Sequence, residues 1–149
     1  EGGRMTDTSA LYQEILLDHN RRPRNYGPLV GATCVERGVN PLCGDELTLL
    51  LRIEGDRIAD ASFEGSGCAI SRASASMMTG AVKGKTRAEA AEIIEHFRAL
   101  VTGQASASEF SGGLKVFAGV ARLPQRVKCA VLAWHTLHSA LVGRGAAKP

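Results

Sequence analysis

The stretch that most constrains the fold is "ELTLLLRIEGDRIADASFE", residues 46–64. Leu47, Leu49, Leu51 and Ile53 recur with a period of two, the spacing of a strand with one face buried. Glu54, Gly55, Asp56 and Arg57 supply a Gly-Asp turn, and Ala59, Ala61 and Phe63 mark a returning strand. The segment therefore predicts a β-hairpin. A two-stranded hairpin is marginal alone, so the rest of the chain must add a strand and cover the apolar face. Val30, Ala32 and Cys34, alternating with Thr33, Val35 and Arg37, predict that further strand, and "NPLCG" at 40–44 predicts the turn between the two.

The remaining segments have helical spacing. Ser9 is placed to cap a helix carrying Leu11, Ile15 and Leu16 and ending near Asn20. "RRPRNYGP" then interrupts regular structure. Ile70, Ala73, Met77 and Ala81 predict a helix over 69–82. Thr86 and Glu89 form a capping-box pattern before a strongly amphipathic segment with Ala90, Ile93, Ile94, Phe97, Leu100 and Val101 inward, closed by Gly103. Residues 104–113 are small and polar and read as a loop, and 114–120 as one short turn. Pro124 opens a last helix that turns Val127, Ala130, Val131, Trp134 and Leu141 inward. One helix, three strands and then helices predict an α+β fold: a three-stranded antiparallel sheet with helices packed on one face.

The totals exclude several classes. A net charge of +3 with dispersed cations, clustered only at Arg21, Arg22 and Arg24, gives no footprint for nucleic acid. No apolar stretch approaches the roughly 20 residues needed to cross a bilayer. The expected compartment is the cytoplasm. Residues 1–4, ahead of Met5, read as a cloning remnant, and residues 5–149 as a single domain.

Four cysteines in a chain of this kind point to metal ligation or thiol chemistry before disulfides. Cys43 lies in the predicted turn, Cys68 in a glycine loop at the start of a helix, and Cys129 early in the last helix. All three stand at element ends, where a site can be built without opening the core. Cys34 falls within a strand and reads as a small core residue. Three thiolates and the Asp45 carboxylate would complete a tetrahedral shell for Zn²⁺. Its formal charge of −2 calls for nearby cations, and Arg72, Arg126 and Lys128 are close in sequence. The carboxylate is the harder and more labile ligand of the four, which suggests a site that exchanges a ligand.

The segments "NPLCGDELTL", "FEGSGCAISRASASMMTGAVKGK" and "RVKCAVLAWHTL" resemble the three cysteine segments of the IscU/NifU-N family of iron–sulfur cluster assembly proteins, and more closely its SufU branch. Lys128 stands where the IscU branch has histidine, and residues 100–122 look like the SufU insertion. The resemblance implies that Cys43, Asp45, Cys68 and Cys129 bind the metal or cluster. It implies a zinc-dependent sulfur relay working beside a cysteine desulfurase, sulfurtransferase-like in character and not a stand-alone enzyme. A SufS-type desulfurase would make the persulfide, and a histidine of that partner would take over a zinc position. Cys43, with Asp45 beside it, would then accept the sulfur for the SufBCD assembly machinery. An IscU-like scaffold holding a nascent [2Fe–2S] cluster is the alternative, and a structural zinc domain without chemistry is a third.

Overall fold

The computed structural model describes residues 14–41, 44–104, 117, 120 and 124–142. Three strands, β1 (Cys34–Asn40), β2 (Asp45–Glu54) and β3 (Arg57–Ser66), form an antiparallel sheet in the order β1-β2-β3. Asn40 pairs with Asp45 at one end of β1–β2, and Cys34 pairs with Leu51 at the other. On β2 the alternation predicted from the sequence separates buried Asp45, Leu47, Leu49 and Leu51 from the more exposed Glu46, Thr48, Leu50 and Arg52. Leu49 opposite Phe63 and Leu51 opposite Ala61 carry the apolar face onto β3.

The first strand starts later than the alternation at 30–34 predicts. Pro28 lacks an amide donor, and Gly31 takes a φ of 81° that turns the chain. Val30 is consequently 92% exposed and outside the sheet. The ladder is joined at Thr33, whose amide donates to the Leu51 carbonyl at 2.8 Å.

Residues 14–21 are helical (α1), with Ile15 and Leu16 packed on the core. Ser9 and Leu11, expected at the start of this helix, lie outside the described residues. The proline-containing segment that follows is not merely a break. The Asn25 carbonyl accepts from the Phe63 amide, and the Gly27 amide donates to the Phe63 carbonyl, so this segment covers the free edge of β3.

Helices α2 (Ala69–Val82), α3 (Arg87–Val101) and α4 (Pro124–Val142) complete the fold. The Thr86–Glu89 capping box is formed in both directions. Helix α4 packs on β1 and β2, α2 on β3, and the two helices meet each other; α3 lies chiefly against α4. The aromatic core joins these layers: Phe97 stacks on Trp134 with ring centroids 4.4 Å apart and meets Phe117 edge-on at 5.4 Å. Most of the predicted loop at 104–113 and of the turn at 114–120 lies outside the described residues; Phe117 and Val120 are buried. Among the described residues no helix is long and apolar enough to cross a membrane.

Candidate metal centre

Three of the four residues expected to bind metal converge at one end of the sheet. Asp45 opens β2, Cys68 is the residue before the first turn of α2, and Cys129 lies in the second turn of α4. One carboxylate oxygen and the two sulfurs lie within 4.8 Å of one another. Cys43 lies outside the described residues; the chain ties it two positions from Asp45. Cys34 stands apart in the core at the start of β1, where burial first and then Glu36 push its thiol pKa up. A cysteine held protonated suits packing, not ligation.

Each position has a local cause. The Gly44 amide donates to the Asn40 carbonyl at 2.8 Å and Gly44 takes a φ of 78°, which reverses the chain between β1 and β2 and sets Asp45 at the sheet end. Asp45 is only 2% exposed. Its Oδ1 accepts from the Cys68 amide at 3.0 Å, and its Oδ2 lies 3.7 Å from Cys68 Sγ. Cys68 is the N-cap of α2, its sulfur accepting from the Ser71 amide at 3.4 Å. The Ser71 amide of the first turn thus faces the sulfur.

Cys129 is positioned through α4. Ser74 of α2 donates its hydroxyl to the Ala130 carbonyl at 2.6 Å and accepts from Trp134 Nε1 at 3.0 Å, all in the buried interior. This joint locks the helix bearing Cys68 to the helix bearing Cys129. On the other side Gly38 of β1 lets Thr136 and Leu132 approach so closely that any Cβ there would collide with the Thr136 side chain. Neither Ser74 nor Gly38 stands out in the sequence as part of a site. The serine sits in a run of small residues, and the glycine interrupts an otherwise ordinary strand.

The cations anticipated around the centre are arranged differently. Arg126 and Lys128 are exposed, and the Arg72 guanidinium lies 5.3 Å from the Tyr26 ring centroid. Among the described residues no lysine or arginine pairs with Asp45. A buried carboxylate is expensive without a compensating positive charge, and two sulfurs do not supply one. The donor set, one oxygen and two sulfurs, is of the type that Zn²⁺ takes. Zinc holds its ligand atoms roughly 3.3–3.8 Å apart, from bonds near 2.0–2.3 Å. The observed 4.8 Å limit therefore fits with adjustments of about an ångström.

Residues 11–143 match the model of the NifU-like N-terminal domain. The chain belongs to that family. Among the relatives of this NifU-like domain, the iron–sulfur cluster assembly scaffold protein IscU of Streptococcus pyogenes serotype M1 is 43% identical over 132 residues, 88% of this chain and 82% of that protein. The zinc-dependent sulfurtransferase SufU of Bacillus subtilis is 41% identical over 128 residues, 85% and 86% of the two chains. A crystal structure from Fervidobacterium islandicum AW-1, described as a candidate cluster-assembly scaffold of the SUF system, superposes with a TM-score of 0.81 at 39% identity. It covers 86% of this chain and 94% of its own.

Proposed function

We propose that this NifU-like domain serves iron–sulfur cluster assembly as a zinc-dependent sulfur acceptor. The carrying observation is the buried Asp45 carboxylate facing Cys68 and Cys129, two residues along the chain from Cys43. The Bacillus relative named as a zinc-dependent sulfurtransferase supports the same reading. Cys43, Asp45, Cys68 and Cys129 would hold the metal. Bound zinc supplies Lewis acidity that keeps its sulfur ligands as thiolates at neutral pH.

The rest of the chemistry belongs to the chain. Cys68 and Cys129 are fixed by helix α2 and by the Ser74 joint, so they are the anchors. Cys43 lies next to Gly44 in the β1–β2 connection and is the acceptor. Its thiolate attacks the outer sulfur of a persulfide on a SufS-type cysteine desulfurase. A new sulfur–sulfur bond forms on Cys43, the partner's sulfur–sulfur bond breaks, and the partner's cysteine leaves as a thiolate with the electron pair. No external oxidant is needed. Asp45 stays with the anchors through its bond from the Cys68 amide. The outer sulfur would pass to the SufBCD machinery in a second exchange of the same kind.

The IscU scaffold reading rests on an equally similar relative, the Streptococcus protein. One experiment separates the two. The protein, purified without added metal, is analysed for zinc, iron and sulfide, then incubated with a desulfurase and cysteine and mapped by peptide mass spectrometry. About one zinc per chain and added sulfur on the Cys43 peptide is the expected result. Sulfur only on the Cys68 or Cys129 peptides would refute the choice of acceptor. An iron–sulfide chromophore without zinc would transfer the site to the scaffold role.

A further inference from the structure

Two glycines precede Cys68, and they are glycines for different reasons. Gly65 has a φ of 153°, and a Cβ there would run into the backbone carbonyl of Glu46 on the neighbouring strand. Its requirement concerns the sheet. Gly67 is not among the glycines with positive φ, and it is solvent-exposed. By backbone conformation and by solvent exposure it should tolerate alanine. Among the described residues, the three nearest atoms that a side chain would meet all belong to Asp45. A Cβ on Gly67 would sit 2.9 Å from Asp45 Oδ1, 3.1 Å from Cγ and 3.3 Å from Cβ. Asp45 cannot yield easily, because it is 2% exposed, is held by pairing of its backbone with Asn40, and has Oδ1 on the Cys68 amide.

We propose that Gly67 is a positioning residue for the metal centre: its missing side chain is the space in which the Asp45 carboxylate lies against the Cys68 amide and turns toward the two sulfurs. The inference rests on the metal-binding reading above and deepens it, since it makes a residue that offers no ligand atom a determinant of the oxygen ligand. Alanine at 67 pushes the carboxylate off Oδ1's present position. The sulfurs stay where α2 and α4 hold them, so one ligand is misplaced while the others remain. Groups that orient a ligand without touching the metal typically affect affinity by about 10- to 100-fold.

The test is a double-mutant cycle on metal affinity. Wild type, Gly67→Ala, Asp45→Ala and the double variant are titrated with Co²⁺ in competition with a chelator. The sulfur-to-cobalt absorption band and the visible ligand-field bands are recorded alongside. Gly67→Ala is expected to lose about tenfold or more in affinity with its ligand-field bands shifted and its sulfur band retained. In the Asp45→Ala background the same change is expected to alter affinity by less than about twofold, because the side chain it displaces has gone. Equal losses in both backgrounds would mean a general backbone effect and would overturn the proposal, as would wild-type affinity in Gly67→Ala. If Gly67→Ala does not fold, the double variant decides. Truncating Asp45 removes the two closest contacts and leaves the 3.3 Å one with its Cβ, so recovery of folding supports the steric pairing and continued failure refutes it. Absence of Co²⁺ binding by wild type is a separate result: it removes the metal-binding reading itself.

Discussion

The two ends of helix α2 solve the same electrostatic problem in opposite ways. At its C-terminal end, the Asp60 carboxylate is met by Lys83 at 3.2 Å and Arg52 at 3.8 Å. Desolvation pushes Asp60 upward, but the hydrogen bonds from Lys83 and the Ala61 amide, with the charges of Lys83 and Arg52, bring its pKa below the usual carboxylate range. The hairpin tip is stapled there to the 83–87 segment: Arg57 donates to the Gly84 carbonyl, and the Arg87 amide to the Asp56 carbonyl. At the N-terminal end, Asp45 is far more deeply buried, yet no cationic side chain among the described residues pairs with it. It meets an amide and two sulfurs instead. One end is closed by charges the chain supplies to itself; the other, on the proposed reading, is closed by a bound metal ion. Deep burial without a cationic partner among the described residues is what sets the proposed metal centre apart from the ion-pair cluster.

The sharpest way to break this comparison is to remove a ligand at one end and a charge at the other. Cys68→Ser is expected to abolish tight zinc binding and the stabilisation it brings. That stabilisation is about 4 kcal/mol when zinc exceeds its Kd a thousandfold. It corresponds to a Tm lower by roughly 8–16 °C for a domain of this size. Adding a chelator should then lower the Tm of wild type but leave that of the variant unchanged. Asp60→Asn and Cys34→Ser should keep full zinc occupancy. Retained zinc in Cys68→Ser, or its loss in Asp60→Asn, would erase the distinction between the ends.

A smaller effect sharpens the closed end. Thr86→Ala removes the hydroxyl that accepts from the Glu89 amide at 3.1 Å, next to the hairpin tip. The expected cost is about 1 kcal/mol in urea unfolding, with the same value in the presence of zinc or chelator. A zinc-dependent cost would show that the two ends communicate through α2.

The smallest effect lies between the ends. His19 Nδ1 is 2.7 Å from the Ser76 hydroxyl of α2, which also accepts from the Arg24 amide. Burial and then the Arg24 charge lower the His19 pKa from its ordinary 6.5, with Asp18 opposing. The unfolded chain therefore takes up the proton first as pH falls. This contribution to stability is full above the unfolded pKa and is lost as pH falls below it toward the folded pKa. His19→Gln should flatten the stability profile as pH falls below the ordinary histidine pKa of 6.5, measured on metal-free protein so that ligand protonation does not contribute. An unchanged slope would remove His19 as its source.

Much of this architecture is legible in local pattern. The hairpin follows from the alternating leucines, and the α2 and α3 bounds from periodicity and the Thr86–Glu89 pair, because these signals are short in range. The start of β1 is misjudged for a related reason: Val30 and Ala32 alternate correctly, but the left-handed turn at Gly31 overrides alternation. Long-range relations leave weaker traces. The Asn25–Gly27 cover on β3 and the Ser74 joint each link positions far apart in the chain, and nothing local marks either. Asp45, Cys68 and Cys129 are recognisable as metal-binding types at element ends, but only the folded geometry explains Gly67. Its role depends on a side chain 22 positions away.

The Ser74 joint has one further consequence. The indole it holds belongs to the chain's single tryptophan, one helical turn from Ala130 and its neighbour Cys129. Indole emission responds to the polarity and hydrogen bonding around the ring, and no second fluorophore of its kind competes. The protein therefore carries its own optical gauge, set where α2 and α4 meet. A rearrangement that moves α4 away from α2 strains or breaks the hydrogen bond that tunes it.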